Sequence, residues 1–260
     1  MAITYSEYLK LEQLLNQQTV LSDPPEHDEL LFIVIHQAYE LWFKLILHEI
    51  DKINHDFSEN DLFGAIHTFK RVRTVLKTLV SQIDILETMT PMSFTSFRDR
   101  LSTASGFQSI QFREVEFALG YKRSHMLEYV KDDSPQREGL MKRLESKSVV
   151  DYFYDFLELR GVNIPVELRE RDLTLPTAPN EALQDDLFRF YRERNEMGIL
   201  FELMTDCDEG LQEWRYRHVK LVERTIGSKE GTGGSLGVEF LKKSLFLPVF
   251  PDLWAIRHRL

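Results

Sequence analysis

Apolar residues recur at intervals of three and four along most of this sequence, which is the spacing of one face of an amphipathic α-helix. The longest such pattern covers about residues 26–57 and runs through Leu31, Ile35, Leu41, Leu45 and Ile53. No pair of alternating strands joined by a hairpin turn interrupts the helical pattern. The sequence therefore predicts an all-α helical bundle that forms one domain over residues 1–260.

Turn residues, prolines and glycines divide this pattern into further helices. Thr4 and Glu7 have the spacing of a capping box and predict an N-terminal helix that carries Tyr5 and Tyr8 on the same face as apolar residues of its second half. The other predicted helices cover about residues 62–88, 91–101, 108–119, 135–145, 149–159 and 180–226, the last with a bend near 206–209. A proline-containing connector precedes that last helix, and a glycine-rich stretch over residues 227–234 follows it.

Charge and cysteine content exclude several classes of protein. Lys+Arg 32 against Asp+Glu 42 gives a formal net charge of −10, which argues against sequence-independent binding of nucleic acid. Cys207 is the only cysteine, so neither an internal disulfide nor a metal cage of several thiolates can form, and we expect a reducing, cytoplasmic environment. Residues 30–47 are apolar but interrupted by Glu40 and Lys44, so they predict a buried helix and no membrane attachment.

His36 lies on the apolar side of the first long helix. At about 100° per residue, His36 falls within an arc of roughly 60° that also contains Phe32, Tyr39 and Phe43. The neighbouring polar residues form a separate stripe. This placement fits two interpretations: a core histidine that is hydrogen-bonded to a backbone carbonyl, or a histidine that faces a ligand.

His218 has a similar setting near the other end of the chain. It shares an apolar stripe with Leu211 and Trp214, whereas Arg215 and Arg217 are predicted to lie off that stripe. Neutral imidazole is a common ligand of iron, and buried histidines on two long helices could hold a cofactor between them. Two unrelated core histidines are the alternative.

Arg98 is the candidate for recognising a carboxylate. Phe94 and Arg98 are four residues apart and share a helix face, which places the guanidinium beside an aromatic ring. Arginine binds carboxylates through paired N–H groups. A surface ion pair with Asp99 or with a neighbouring helix is the alternative. There is no Walker-type phosphate loop, dinucleotide fingerprint or HExxH motif in the sequence.

Four blocks of this sequence resemble the tryptophan 2,3-dioxygenase family. They are HDELLFIVIHQAYELWFK at 27–44, FRD with ASGFQS at 97–99 and 104–109, WRYRH at 214–218, and IGSK with GTGG at 226–229 and 231–234. The blocks follow the order of the family, and the resemblance extends from near residue 5 to about 245. Phe94 stands where some members have tyrosine, and residues 132–179 match only loosely.

The resemblance implies an all-α enzyme that encloses a b-type haem and assembles as a homotetramer. Its expected reaction inserts O₂ into the indole ring of L-tryptophan and gives N-formylkynurenine. The resemblance also implies that residues 1–17 form a helix that docks on a neighbouring subunit, with Tyr5 and Tyr8 at that subunit's active site.

The resemblance assigns roles to the polar candidates one by one. His218 corresponds to the axial ligand of the haem iron, and His36 to the distal histidine that accepts a hydrogen bond from the indole N–H. Arg98 corresponds to the partner of the substrate carboxylate. Thr232 would contact the carboxylate and ammonium groups of the substrate.

The remaining candidates would shape the pocket. Phe32 and Phe94 correspond to the walls around the indole ring, and Ser105 and Gly106 to residues close to the haem and the bound dioxygen. Such a pocket must be dry, orient the indole and hold the amino-acid end of the substrate by charge.

Three other functions are compatible with the sequence. A haem monooxygenase that acts on tryptophan or a substituted indole could use the same fold and the same substrate-binding residues. A non-catalytic haem gas sensor would usually need an output module, for which 260 residues leave little room. A helical interaction module without haem is the third alternative, and a Soret band in the purified protein would eliminate it.

Overall fold

The structure is a computed structural model, and it describes residues 2–132, 134–227, 229 and 237–260. The described residues form α-helices and short 3-10 helices and contain no strand, which confirms the all-α prediction. Thr232 and the other residues from 230 to 236 lie outside the described residues, so the assignment of Thr232 stays a prediction.

The helices follow one another along the chain with short connections. In order they are α1 (Tyr5–Leu9), α2 (Leu11–Leu15), α3 (His27–Ser58), α4 (Leu62–Leu86), α5 (Pro91–Arg98), α6 (Ile110–Leu119), α7 (Pro135–Glu145), α8 (Val149–Leu159), α9 (Val166–Arg169), α10 (Glu181–Glu193), α11 (Asn195–Ile226), α12 (Val238–Lys242) and α13 (Pro251–Ala255). The 3-10 helices are Asp99–Leu101, Gly106–Gln108, Ser124–Tyr129 and Ile256–Arg259.

Helix α4 bridges the two longest helices of the bundle, because it packs against both α3 and α11. Its apolar side chains Val72, Leu76, Leu79 and Ile83 are buried, as the helical pattern predicts. Burying a side chain of this kind contributes roughly 1.5–3 kcal/mol to folding before entropy is counted. Since α3 carries His36 and α11 carries His218, this packing fixes where the two histidines lie.

Helix α3 matches the predicted helix closely, and its inner side buries Ile46, Ile50 and Ile53. By length and composition alone α3 could cross a membrane, since one 18-residue window has a mean hydropathy of 1.5. Here α3 packs against α4, α6 and α8, while Val34 and Leu41 on its outer side remain exposed.

The N-terminal segment differs from the single helix that the sequence predicts. The predicted capping box is present, because Thr4 Oγ1 accepts from the Glu7 N–H and the Glu7 carboxylate accepts from the Thr4 N–H. However, Lys10 has φ 52° and ψ 43°, a left-handed conformation that separates α1 from α2. The face that carries Tyr5 and Tyr8 therefore does not continue onto α2.

The long helix predicted over residues 180–226 is also two helices. Arg194 has an extended backbone, with φ −130° and ψ 94°, and separates α10 from α11. Helix α11 runs without interruption through residues 206–209, where the sequence predicts a bend. The Arg194 guanidinium lies 4.4 Å from the centre of the Phe190 ring, so the break is associated with a packing contact rather than with glycine or proline.

Asp208 on α11 forms hydrogen bonds with the C-terminal part of the chain. Its Oδ2 accepts hydrogen bonds from the N–H groups of Val249 and Phe250, at 2.9 and 3.2 Å, and from Trp254 Nε1 at 2.9 Å. The short helices α12 and α13 were not predicted from the sequence.

Candidate functional site

A cavity of about 260 Å³ lies among α3, α5, α6 and α11, compared with about 20 Å³ for a second cavity in the core. Most of the predicted site residues line the large cavity: Phe32, His36, Phe94, Arg98, Ser105, Gly106 and His218. Residues that are far apart in the sequence therefore meet at one site. The exposed Tyr5 and Tyr8 do not line it.

His36 presents an unprotonated ring nitrogen for hydrogen bonding. Its Nδ1 lies 2.7 Å from the carbonyl oxygen of Phe32, one helical turn earlier. A carbonyl can only accept, so Nδ1 carries the proton and Nε2 of the neutral ring is an acceptor. Burial lowers the pKa of His36, although the Phe32 carbonyl and the charge of Glu40 act in the opposite direction. His36 therefore bonds to the backbone and also lines the cavity.

His218 lies on the α11 side of the cavity. Burial, together with the smaller effects of the neighbouring His36 and Arg113, lowers the pKa of His218 to about 4. The ring is therefore neutral near pH 7 and retains a lone pair that can coordinate a metal. His36 and His218 therefore line the same cavity from two different helices.

Trp214 packs directly against His218. The two rings are parallel, with an interplanar angle of 2° and centroids 5.3 Å apart. Phe43 meets Trp214 edge to face at 86°, and the Phe112 centroid is 5.0 Å from that of Trp214. The His218 side of the cavity is therefore built from packed aromatic rings.

Aromatic rings also form the wall beside His36. The Phe32 and His36 centroids are 4.0 Å apart, and Phe32 lies 5.8 Å from Phe94. Phe97, which is completely buried, meets Phe94 edge to face at 5.5 Å. A flat apolar ring such as indole could pack against this wall.

Arg98 and the loop around Ser105 close another side of the cavity. Arg98 is the last residue of α5 and lines the cavity. Ser105 Oγ accepts from the Phe107 N–H at 3.3 Å and caps the 3-10 helix Gly106–Gln108. A methyl group built on Gly106 would meet no described atom within 4 Å, so the space beside Gly106 is open.

The sequence matches known proteins along most of its length. The sequence model of the family described as tryptophan 2,3-dioxygenase matches residues 1–158 and 177–260. The chain is 52% identical to the tryptophan 2,3-dioxygenase of Herpetosiphon aurantiacus over 98% of each chain. It is 47% identical to that of Anaeromyxobacter dehalogenans, over 100% of this chain and 97% of the relative.

The chain belongs to the tryptophan 2,3-dioxygenase family. A more distant relative, the tryptophan 2,3-dioxygenase of Bacillus thuringiensis subsp. konkukian, is 41% identical over 99% of this chain and 93% of its own length. The family model matches most of residues 132–179, which resemble the family only loosely by inspection, and omits only residues 159–176.

Members of the tryptophan 2,3-dioxygenase family depend on haem, and the cavity fits such a group. His218 offers a neutral imidazole. The walls are mainly aromatic, and Trp214 Nε1 is buried with no hydrogen-bond partner among the described residues. A large, flat, metal-bearing ligand with hydrogen-bond acceptors would satisfy each of these features.

Sequence reasoning missed a charged group in the same tryptophan 2,3-dioxygenase cavity. Glu116 on α6 contacts the guanidinium groups of Arg113, Arg123 and Arg215, and all four residues line the cavity. The prediction that Arg215 lies off the buried stripe is wrong, because its side chain is only 4% exposed. Helical spacing does place Arg215 beside that stripe, because it lies four residues after Leu211 and three before His218. Its carboxylate partner, 99 residues away, is the part that the local sequence does not reveal.

Proposed function

We propose that this chain is a haem-dependent dioxygenase that inserts both atoms of O₂ into the indole ring of L-tryptophan and yields N-formylkynurenine. The observation that carries the proposal is the pair of neutral histidines, His36 on α3 and His218 on α11, in one aromatic cavity. Arg98 at the edge of the same cavity supports an amino-acid substrate. Membership of the family makes tryptophan the expected one.

We assign His218 as the axial ligand of the haem iron, because its imidazole is neutral and lies in the cavity wall. Bound ferrous haem supplies the electrons through which ground-state O₂ can react with an organic substrate. We propose non-covalent haem b, since thioether attachment needs cysteines in a C-x-x-C-H motif. The single Cys207 is buried and lies in no such motif.

His36 would orient the indole ring. Its Nδ1 proton is held by the Phe32 carbonyl, so Nε2 can accept a hydrogen bond from the indole N–H. The indole N–H is a very weak acid, and the low pKa of His36 makes it a weak base, so the hydrogen bond serves to position the ring and requires no proton transfer.

The amino-acid end and the ring of the substrate would be held by different groups. Arg98 would pair with the carboxylate, and Thr232 would contact the carboxylate and the ammonium group. Phe32 and Phe94 would enclose the indole ring and exclude water from the reacting carbons. Ser105 and the open space beside Gly106 would border the haem and the dioxygen.

We further propose that the active form is a homotetramer in which α1 covers a neighbour's site. Tyr5 and Tyr8 are 75% and 73% exposed in the isolated chain, so most of the surface of each residue is uncovered by the described residues. A short terminal helix with exposed aromatic residues gains stability only by docking. Tyr5 and Tyr8 would then close the indole pocket of the neighbouring subunit.

The proposal places the enzyme in the cytoplasm, with no nucleic acid or membrane partner. The net charge of −10 opposes binding to a polyanion, and Cys207 with its buried thiol suits a reducing compartment. Cell fractionation with detection of the chain in the soluble or membrane fraction tests the location.

The function is tested by supplying reduced, haem-loaded protein with L-tryptophan and ¹⁸O₂. We expect N-formylkynurenine carrying two labelled oxygen atoms. A product that carries one labelled oxygen and an intact ring would instead identify a monooxygenase. Haem binding without any product would favour a gas sensor, and protein without a Soret band would contradict every haem function.

A further inference from the structure

Three arginines converge on a single carboxylate at the α6 side of the cavity. Glu116 is 2% exposed and forms ion pairs with Arg113, Arg123 and Arg215, whose side chains are 7%, 20% and 4% exposed. Arg215 Nη2 lies 3.2 Å from Glu116 Oε1, and Arg215 Nη1 lies 3.3 Å from the Ser244 carbonyl oxygen. We name these four residues the arginine cluster.

The arginine cluster carries more positive than negative charge. Its three arginines and one glutamate leave an excess of two positive charges. The rest of the described cavity wall does not remove this excess, because Glu40 and Arg98 offset each other. A positively charged cavity in a chain with a net charge of −10 is a local feature, and it favours an anionic ligand.

The guanidinium groups of the arginine cluster repel one another, as the pKa of Arg113 shows. Burial lowers the pKa of Arg113, and the charges of Arg123 and Arg215 lower it further, while Glu116 opposes them. Arginine nevertheless stays protonated, so the cations remain in place at a cost in free energy. An anion in the cavity would reduce that cost.

The arginine cluster also has hydrogen-bond donors without acceptors. In the part of the chain that the structure describes, the buried Nε atoms of Arg113, Arg123 and Arg215 have no partner, and neither does Trp214 Nε1. Buried donors are normally satisfied, so this concentration of unpaired donors beside one cavity indicates a missing acceptor. Carboxylate oxygens supply several acceptor positions each.

Aromatic rings hold the guanidinium groups in position. Arg215 lies 4.1 Å from the centre of the Tyr121 ring, Arg113 lies 5.2 Å from that of Phe107, and Arg123 lies 5.9 Å from that of Phe240. These contacts keep the charges fixed before a ligand arrives, which lowers the entropy lost on binding.

We propose that the arginine cluster is the binding site for the carboxylate edge of the porphyrin, with Glu116 as the positioning residue that holds the three guanidinium groups together. This inference rests on the proposed haem function. His218 and Arg215 are three residues apart on α11, and Arg113 is an electrostatic neighbour of His218. A ligand with its metal at His218 and its anionic edge at the arginine cluster therefore spans a single cavity.

The test uses iron-free protoporphyrin IX and its dimethyl ester, in which both carboxylates are neutralised. Porphyrin fluorescence gives the affinity of each probe for the wild-type apoprotein. Because neither probe contains iron or reacts with tryptophan, the result does not depend on ligation by His218 or on the reaction catalysed. We expect the diacid to bind at least about tenfold more tightly than the ester.

Substitutions locate the source of that preference. Arg113→Gln and Arg123→Gln should each reduce the preference for the diacid by about fivefold or more. Arg123 is the more exposed of the two, so its variant keeps the test available if the Arg113 variant does not fold. Arg171→Gln is the matched control, because Arg171 is also a buried arginine paired with a carboxylate, Asp151, but does not line the cavity.

The proposal is overturned if wild-type protein binds diacid and ester equally, or if neither probe binds. It is also overturned if the preference survives both cavity substitutions, because the carboxylates would then bind elsewhere. A loss of preference in the Arg171 variant as large as in the Arg113 and Arg123 variants would likewise contradict it, since the effect would then be general destabilisation.

Discussion

The indole ring of Trp214 lies parallel to the imidazole ring of His218, one helical turn later on α11. Both side chains are on the same helix, four residues apart, so the helix brings the two rings next to each other. Phe43 and Phe112 hold Trp214 from α3 and α6. The orientation of the imidazole plane is therefore determined by the core and is available to a metal that approaches from the cavity.

His218→Ala should abolish stable haem binding, because the proposed axial ligand is removed while Trp214 stays packed against Phe43 and Phe112. Addition of free imidazole should restore part of the Soret absorbance. His48→Ala, which removes an exposed histidine of α3, is the control and should bind haem normally. An unchanged Soret spectrum in the His218 variant would contradict the assignment.

His36→Ala should bind haem normally and keep measurable turnover. Loss of one positioned hydrogen bond costs on the order of 1–3 kcal/mol, so kcat/KM should fall by roughly 5- to 150-fold. Steady-state kinetics and a haem titration together check this. A variant that loses haem but can be rescued by imidazole would mean that the roles of the two histidines are exchanged.

Gly106→Ala should fold as well as the wild type while binding ligands less well. The added methyl group meets no described atom, and the backbone of Gly106 does not have a positive φ that would penalise alanine. The methyl group would instead occupy space assigned to the haem and dioxygen. Thermal unfolding of the apoprotein and affinity for haem and tryptophan measure the two effects, and normal affinity would remove Gly106 from the site.

Glu116→Gln should destabilise the apoprotein by about 3–5 kcal/mol at neutral pH, because the buried Arg113 and Arg215 and the partly buried Arg123 lose their counter-charge. Burial alone would raise the pKa of Glu116, but Arg113, Arg123 and Arg215 outweigh it and lower that pKa below its ordinary value of 4.5. The folded state therefore releases the proton more readily than the unfolded state.

The stabilisation from Glu116 should be complete above pH 4.5 and disappear as the pH falls through the lower value in the folded protein. Urea unfolding over a range of pH gives the free energy of unfolding of the wild type and of Glu116→Gln. The difference between the two values isolates the contribution of Glu116, because the other carboxylates contribute equally to both. A difference in the free energy of unfolding that grows on acidification would show that the carboxylate is not held ionised by the arginines.

Deletion of residues 1–17 should weaken tryptophan binding and activity while leaving haem bound. Tyr5 and Tyr8 are exposed in the single chain, so their loss removes little from its own core. Tryptophan titration and light scattering measure affinity and assembly. The double substitution of Tyr5 and Tyr8 by serine separates the aromatic contact from chain length. Full affinity in a truncated monomer would refute a shared site.

The helices that the sequence predicts best are those whose stability depends on one buried face. The predicted helix over 149–159 matches α8, and Gly120 ends α6 with φ 103° as its position after a helical pattern indicates. His36 and His218 could be placed on apolar faces for the same reason. The spacing of apolar residues along a helix predicts which face is buried. It therefore identifies residues that lie on an apolar face.

The features that sequence reasoning missed depend on contacts between distant segments. Arg215 has the helical spacing of the buried face, but its charge predicts exposure, and only the remote Glu116 with Tyr121 accounts for its burial. The breaks at Lys10 and Arg194 occur without glycine or proline, and local propensity gives no reason to expect them. Contacts with residues that are remote in sequence determine such features, and a local stretch of sequence does not reveal those contacts.

Helix α4 has a consequence for the selectivity of this enzyme. Helices α3 and α11 both pack on α4. The distance between their two histidines therefore depends on the size of the α4 side chains on which the helices rest. A hydrogen bond from the hydroxyl of Tyr39 on α3 to the carbonyl of Leu79 on α4 also joins these two helices. The size of a substrate that the space between the histidines admits is thus governed partly by side-chain volumes on α4, and tolerance of bulkier indoles can be altered at positions that the indole never contacts.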